Sequence, residues 1–466
     1  MTGFDLPEGW CLTKIGDVCS KITDGSHNPP SASTEGLPML SAKNIHNGIV
    51  DFNLEHRLIP HDDFFIEDKR TNIQANDVLL TIVGALGRTA LVVKDYTKFT
   101  LQRSVAVLAA PHLYAKCFRY SLEEYQFQKQ IIDNAKGTAQ KGIYLKKLSE
   151  LTLPIPPLAE QSEIANRLDT LLAQVEVTQA RLARIPDIIK KFRQSVLASA
   201  VSGKLTDEWR KSKNISNWQE RKLGNIVKAI EAGKNLRCIE TPPNADEYGI
   251  IKISAVTWGV YDEMQSKTLP SKELFLESRR INSGDFLISR ANTIELLGNP
   301  VIVKNATKNL MLSDKVLRLV MDEHEKPWVS IFLRSSKGRK EIEGRSTGNQ
   351  LSMRNIGQKA LLDIDIPKPS MEEQAEIVRR VEQLFTYADN LEQQAKAAKA
   401  RVDNLTQAIL AKAFRGELTS DWRAANPDLI SGDNSAAALL ARIQAERVTA
   451  SGKKGKRGTS KSRTTA

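Results

Sequence analysis

Arginine paired to guanine, and asparagine or glutamine paired to adenine, can each read a base through two hydrogen bonds at once. In this 466-residue sequence such side chains recur on glycine-rich stretches between short apolar runs. The first set is Arg88, in Gly84-Ala85-Leu86-Gly87-Arg88, then Gln102 and Arg103, then Gln140 and Lys141, in Gly137-Thr138-Ala139-Gln140-Lys141-Gly142. The second is Arg290 and Asn292, then Lys315, then Arg345, Asn349, Gln350 and Arg354 around Arg345-Ser346-Thr347-Gly348-Asn349-Gln350. Loops are where recognition residues concentrate, and the two sets fall at corresponding places in the two halves of the chain. For any single residue the competing reading is a solvated loop charge. Ser26, His27, Lys43 and Asn44 are weaker candidates.

Residues that would do covalent chemistry are sparse. Asn28-Pro29-Pro30-Ser31 echoes the N-P-P-aromatic loop of adenine methyltransferases but lacks the aromatic that stacks on a flipped base. No glycine-rich cofactor loop precedes it, so it reads as a proline turn. Pro60-His61-Asp62-Asp63 with Glu67-Asp68-Lys69 mimics a metal-nuclease signature, yet its acids are too close in sequence to reach one Mg²⁺ from two adjacent strands. There is no G-x-x-x-x-G-K-[ST] phosphate cradle. The six histidines form no H-x-x-x-H pair, and His56 and His61 read as exposed loop residues. Cys11, Cys19, Cys117 and Cys238 contain no C-x-x-C, which favours reduced structural thiols over a metal site. These residues point to binding on this chain, with no cofactor and no metal of its own.

The elements that must position the loops are organised by a repeat. Residues 158–210 align without a gap to residues 371–423, with fifteen of 53 positions identical. Both copies carry an apolar stripe with alternating steps of four and three, the spacing of a coiled-coil seam. In the first it includes Ile164, Leu168, Leu171, Val175, Leu182 and Ile189; in the second, Ile377, Val381, Leu384, Leu391, Val402 and Ile409. A lone stripe would read as a core helix, but two of equal length and phase favour pairing with each other. Gly203 and Gly416 stand where helices stop, and Pro186 should kink or divide the first helix. Ahead of each helix lies a variable domain, residues 1–157 and 211–370. Short β-rich runs there (Val78–Val83, Ala90–Val93, Ser104–Ala109, Phe286–Ser289, Val301–Lys304, Val316–Met321) alternate with turns. A helix is expected near Ala115–Asn134 and another near Pro327–Glu343.

The expected fold is α+β: two mixed α/β domains with mainly antiparallel, curved sheets, separated by two long antiparallel coiled-coil helices at 158–210 and 371–423. A pseudo-two-fold axis would relate the halves. A seam of 33 residues spans ~50 Å at ~1.5 Å per residue. That suits two half-sites about one ~34 Å DNA turn apart, hence a bipartite target.

Net charge is +12, and six basic residues without an acid lie between Ser451 and Ala466. Residues 424–466 therefore read as a short helix and a basic disordered tail. The folded part stays basic, compatible with a polyanion partner. No apolar stretch is long enough for a membrane span, and the N-terminal residues lack a basic-then-apolar export pattern, so the expected compartment is the cytoplasm.

Leu153-Pro154-Ile155-Pro156-Pro157-Leu158-Ala159-Glu160-Gln161, with Ile164 to Leu172 and Phe192 to Thr206, resembles the central conserved region of type I restriction–modification specificity subunits. Glu373 to Phe385 and Ile409 to Thr419 resemble their distal conserved region, in wording closest to the enterobacterial K-12-type family. The resemblance covers about a quarter of the chain. It implies two target recognition domains, each reading half of a split site in double-stranded DNA. It also implies helices that dock two modification (methyltransferase) subunits, which carry S-adenosylmethionine and methylate adenine. Two restriction (translocase/nuclease) subunits would add ATP- and Mg²⁺-dependent cleavage, and this chain would supply no catalysis. Two other readings stay open here: a self-sufficient methyltransferase/nuclease with degenerate motifs, and a coiled-coil dimerisation protein without DNA specificity.

Overall fold

The computed structural model describes residues 6–137, 140–215, 217–350 and 353–457. The chain forms two compact units, Met1–Arg181 with Ala398–Ala466, and Leu182–Ala397.

The first unit is built on a four-stranded antiparallel sheet in the order Lys21–Asp24, Val105–Ala109, Val78–Thr81, Thr89–Leu91. Val78, Leu79, Leu80 and Thr81 are all buried, because both faces of that strand are covered. One face packs on Phe118, Leu122, Phe127 and Ile131, the other on Leu40, Ile45, Phe99 and Leu101. A small sheet sets Leu37–Leu40 antiparallel to Arg57–Ile59 and parallel to Thr100–Leu101. Cys11–Lys14 pairs with Thr152–Ile155 and closes the domain on itself.

The second unit repeats this connectivity with different residues. Its four-stranded sheet runs Ala229–Ala232, Val316–Val320, Phe286–Ser289, Pro300–Ile302. Its small sheet sets Tyr248–Ile251 antiparallel to Ser266–Thr268 and parallel to Asn309–Met311. Gln219–Lys222 pairs with Asp365–Lys368. The expected strands therefore all lie in the two main sheets, Phe286–Ser289 with the expected bounds and the others shortened or shifted by one or two residues.

Each expected helix before the last loop is two helices, Ala115–Glu123 with Tyr125–Asn134, and Glu325–Arg334 with Ser336–Arg345. The break is an N-cap. Glu124 is extended and its carboxylate accepts from the Gln126 and Phe127 N–H groups; Ser335 is extended and its hydroxyl accepts from Gly338 N–H. His61, expected in a loop, opens the helix His61–Thr71, with Asp62 and Asp63 favourably placed in its first turn. Asn28 to Ser31 runs over Arg57, which donates to the Pro29 and Pro30 carbonyls.

The first long helix is divided, as Leu158–Ala183 and Ile185–Val201. Pro186 sits in the first turn of the second piece, where its missing N–H breaks no bond, and Arg184 between the pieces keeps a right-handed helical conformation. The second long helix, Met371–Phe414, is unbroken. In the first unit Ile164, Ala165 and Leu168 pack on Leu410, Ala413 and Phe414. In the second, Val196, Leu197 and Ala200 share a core with Ile377 and Val381. The start of one helix thus meets the end of the other in each unit.

Of the expected seam, Ile164, Leu168, Val175, Ile189, Ile377 and Val381 are buried. Leu171, Leu182, Leu384, Val402 and Ile409 are half-buried, and Leu391 is exposed. Near the end of the second helix the buried residue is Leu410, one position past the expected Ile409. A straight helix drifts ~20° per heptad from a strict 3.5-residue repeat, roughly one position over this length.

One buried network occurs twice. In the first unit the Trp10 indole N–H (2.7 Å), the Thr419 hydroxyl (2.6 Å) and the Arg423 guanidinium all donate to the Glu160 carboxylate. In the second, Trp218 (2.7 Å), Thr206 (2.8 Å) and Arg210 (2.8 Å) donate in the same way to Glu373. Each carboxylate opens one repeat copy, whereas its threonine and arginine close the other. The last helix, Ala436–Arg457, buries Ala436, Leu439 and Ile443 in the first domain's core. Its backbone takes in residues 451–457 of the stretch expected to be disordered, and 458–466 lie outside the described residues.

Candidate nucleic-acid interface

The end of each four-stranded sheet gathers the loops that carry the expected base-reading side chains. In the first domain three of them meet at the Ile82 backbone. Ile82 N–H donates to Ser104 O (2.9 Å), Ile82 O accepts from Ile143 N–H (2.9 Å), and Gly84 N–H donates to Lys141 O (3.0 Å). The loop after Asp24 joins them: Ser26 N–H donates to Leu101 O (2.7 Å), and Arg103 N–H to Ser26 O (2.9 Å). Gly25 makes that approach possible, since a Cβ there would lie 2.0 Å from Leu101 O. Arg88, Gln102, Arg103, Gln140 and Lys141 are brought to this end. Their side chains make no hydrogen bond or ion pair with the described residues, and all but the half-buried Gln102 are exposed. Ser26 and His27 are held instead by Glu67 (2.9 Å) and Asp24 (2.8 Å). Asn44 is buried, spending its amide on the Asp51 and Leu54 carbonyls, and Lys43 pairs with Glu55 (2.9 Å).

The second domain repeats the convergence around Arg290. Its N–H donates to Lys315 O (2.9 Å), its carbonyl accepts from Ile356 N–H (3.0 Å), and Asn292 pairs with Arg354 across a strand. The same bonds make Arg290 the counterpart of Ile82, not of Arg88. The counterpart of Arg88 is Asn299. Each follows a glycine whose N–H donates back to the end of a central strand, Gly87 to Thr81 O and Gly298 to Ser289 O (both 2.9 Å). Arg290 is half-buried and its guanidinium makes no bond with the described residues, and Lys315 is exposed with Asp314 beside it at 3.4 Å.

Three expected readers of the second domain have other work. Asn292 donates to the Thr257 hydroxyl (3.3 Å) and accepts from Thr293 N–H (2.9 Å). Arg345 is paired with Glu341 and lies 3.8 Å from both Asp363 and Asp365. Arg354 donates to the Ser346 carbonyl (2.8 Å), the Ser346 hydroxyl (2.7 Å) and Gly348 O. Asn349 and Gln350 belong to the strand Thr347–Gln350, and their side chains lie outside the described residues. The sequence reading missed exposed Lys234, bridged to Ser313 where Ser26 is bridged to Gln102. Its signal is the glycine before it, Gly233, which matches Gly25.

The second helix of each helical pair steadies the arginine- or asparagine-bearing loop. Gln128 Nε2 donates to Gly87 O (2.8 Å); Arg339 donates to Leu297 O (2.5 Å) and Ile294 O (2.9 Å). All four cysteines are free, and burial pushes the Cys19 thiol up to about 12. Among the described residues no helix is long and apolar enough to cross a membrane.

A duplicated sheet with dissimilar, cation-bearing loops on one pattern is the signature of a paired recognition protein. The type I restriction modification DNA specificity domain matches the chain twice, over residues 7–187 and 215–399. The chain is 35% identical over 475 residues to the type I restriction enzyme EcoKI specificity subunit of Escherichia coli strain K12, covering 98% of this chain and 99% of that protein. It is 40% identical over 348 residues to the EcoBI specificity subunit of Escherichia coli, 70% of each. At the level of fold it is similar to the HsdS subunit of Thermoanaerobacter tengcongensis, with a TM-score of 0.60 and 18% identity over 89% of this chain and 99% of that one. A second solved chain, from work on complex assembly and conformational transition of the type I R-M system, gives a TM-score of 0.63 at 19% identity, covering 89% of this chain and 100% of that one. The chain belongs to the type I restriction modification DNA specificity family.

Proposed function

We propose that this chain reads the two halves of a bipartite site in double-stranded DNA, one with each variable domain, 1–157 and 211–370. It would direct partner subunits to that site and perform no catalysis itself. The observation that carries the reading is the doubled loop cluster. Arg88, Gln102, Arg103, Gln140 and Lys141 on one frame, and Arg290 and Lys234 on the other, make no side-chain bond with the described residues at the ends of equivalent sheets, where exposed Lys315 has Asp314 beside it. Unspent donors on a fixed frame suit base edges and phosphates.

The spacer in this reading is the pair of helices at 158–210 and 371–423, joined as an antiparallel coiled coil with the halves related by a pseudo-two-fold axis. The exchanged Glu160 and Glu373 networks support it, because each ties the start of one repeat to the end of the other. Exposed Val177, Ile188 and Tyr387 leave apolar surface on these helices for two methyltransferase subunits. S-adenosylmethionine, ATP and Mg²⁺ then belong to the methyltransferase and restriction subunits, and the assembly works on double-stranded DNA in the bacterial cytoplasm.

Long-read sequencing of methylated adenines in cells carrying the complete system tests this. A split motif with an adenine modified on each strand is expected, and a continuous motif refutes the two-reader geometry. Methyl transfer by the purified chain alone would instead establish the self-sufficient enzyme.

A further inference from the structure

Trp258 in the second domain is 76% exposed, and Val260 and Met264 beside it are 70% and 55% exposed. The loop under them is firmly held. The Thr257 carbonyl accepts from Asn299 Nδ2 (2.9 Å), and its hydroxyl from Asn292 Nδ2 (3.3 Å). The Gly259 carbonyl accepts from the Arg334 guanidinium (2.6 Å), which also donates to Pro300 O (3.3 Å). Gly259 has φ +77°, and a Cβ there would lie 2.8 Å from Arg334, so the turn that presents the indole requires glycine. Arg334 has no carboxylate partner among the described residues, and burial pulls its pKa below the ordinary arginine value.

The pins come from the candidate interface itself. Asn292 lies two residues beyond Arg290, and Asn299 is the counterpart of Arg88. An apolar tip pinned by the loop that follows Arg290 suits a polyanion with apolar edges. DNA offers these as sugars, thymine methyl groups and base faces. We infer that Trp258, flanked by Val260, is an apolar prong of the second domain that packs against duplex DNA within its half-site. The inference rests on the two-reader function proposed above. In the first domain Asn47-Gly48-Ile49 takes this place; Gly48 has φ +75° and a Cβ there would lie 2.4 Å from Arg119. The aromatic prong therefore belongs to one half-site only.

The test uses the full chain assembled with its methyltransferase subunit and a duplex bearing the motif found by methylation sequencing. Trp258→Ala should weaken binding roughly tenfold, and Trp258→Phe should keep most of the affinity. The slope of log K against log salt should not change, because no cation is lost. DNA-induced quenching of tryptophan emission in the parent complex should largely disappear in Trp258→Phe. If affinity and quenching are unchanged while Arg290→Ala still weakens binding, the prong is wrong and the reader stands. If Arg290→Ala is silent too, both assignments fall. If Trp258→Ala instead blocks assembly with the methyltransferase subunit without DNA, the patch is a protein contact and the inference is overturned.

Discussion

The two variable domains share a frame down to individual hydrogen bonds, yet almost none of their interface side chains agree. Ile82 faces Arg290 as its equivalent, Arg88 faces Asn299, Ser26 faces Lys234, and Asn47 faces Trp258. Even the residue steadying the loop differs: the neutral amide of Gln128 in one domain, the Arg339 guanidinium in the other. What stays constant is what the backbone needs, namely Gly25 and Gly233, Gly87 and Gly298, Glu160 and Glu373. A frame held by backbone bonds and buried carboxylates leaves loop side chains such as Arg88, Lys141 and Lys234 free to vary, because they make no bond with the described residues.

The two halves depend most on their equivalent buried carboxylates. Glu160→Ala removes the acceptor of the Trp10 N–H and the carboxylate partner of Arg423, and Glu373→Ala does the same to Trp218 and Arg210. Removing one partner of a buried pair costs about 3–5 kcal/mol. Urea denaturation should show losses of that size, similar for the two variants. A large loss for one and none for the other would break the equivalence of the halves. Gly25→Ala and Gly233→Ala come next. The added Cβ would lie 2.0 Å from Leu101 O and 1.6 Å from Leu312 O, both backbone atoms, so each should cost about 2–3 kcal/mol in the same measurement.

Much of this frame was legible in the sequence because apolar runs such as Val78-Leu79-Leu80 and Phe286-Leu287-Ile288 have no place but a sheet core. The repeat, the glycine stops and the division at Pro186 were legible for equally local reasons. The helix breaks at Glu124 and Ser335 were not, since an N-cap exists only once its side chain has turned onto the next backbone amides. Arg88 and Arg290, each the first candidate of its set, are not equivalent positions, and the cause is geometric. The stretch from Ile82 to Gly87 is shorter than that from Arg290 to Gly298, so equivalence is set by hydrogen bonds to Ser104 and Lys315 rather than by spacing. Arg345 and Arg354 looked like readers because composition cannot tell a free guanidinium from one folded onto Glu341 or Ser346.

That distinction yields a graded set of binding variants. Arg290→Ala and Arg88→Ala should each weaken DNA binding by ~1–3 kcal/mol if they read a base, and each should relax specificity at one position in a different half of the motif. A uniform loss with a shallower salt slope would mark a phosphate contact instead. Arg354→Ala should act on the fold of its own loop, lowering stability while leaving the read sequence unchanged. Relaxed specificity from Arg354→Ala with unaltered stability would reverse its assignment.

The smallest effect separates the halves by acid. In the second unit Arg379 and then Arg380, hydrogen-bonded to Glu376, pull its carboxyl down to about 2. In the first unit the equivalent of Arg380 is Arg167, which reaches out to Asp421 (2.8 Å) and holds that carboxyl below its usual range. A carboxylate with a depressed folded-state pKa adds stability above its unfolded value, ~4.3 for glutamate and ~3.9 for aspartate. That contribution fades as pH falls through the folded value. Glu376→Gln should therefore cost stability at pH 6 and make little difference near pH 2, flattening the acid limb between. Asp421→Asn should do the same more weakly, since Asp421 is the more exposed of the two. Urea midpoints measured from pH 6 down to pH 2 decide it, and parallel curves for the parent and both variants would show that neither ion pair helps to hold its half together.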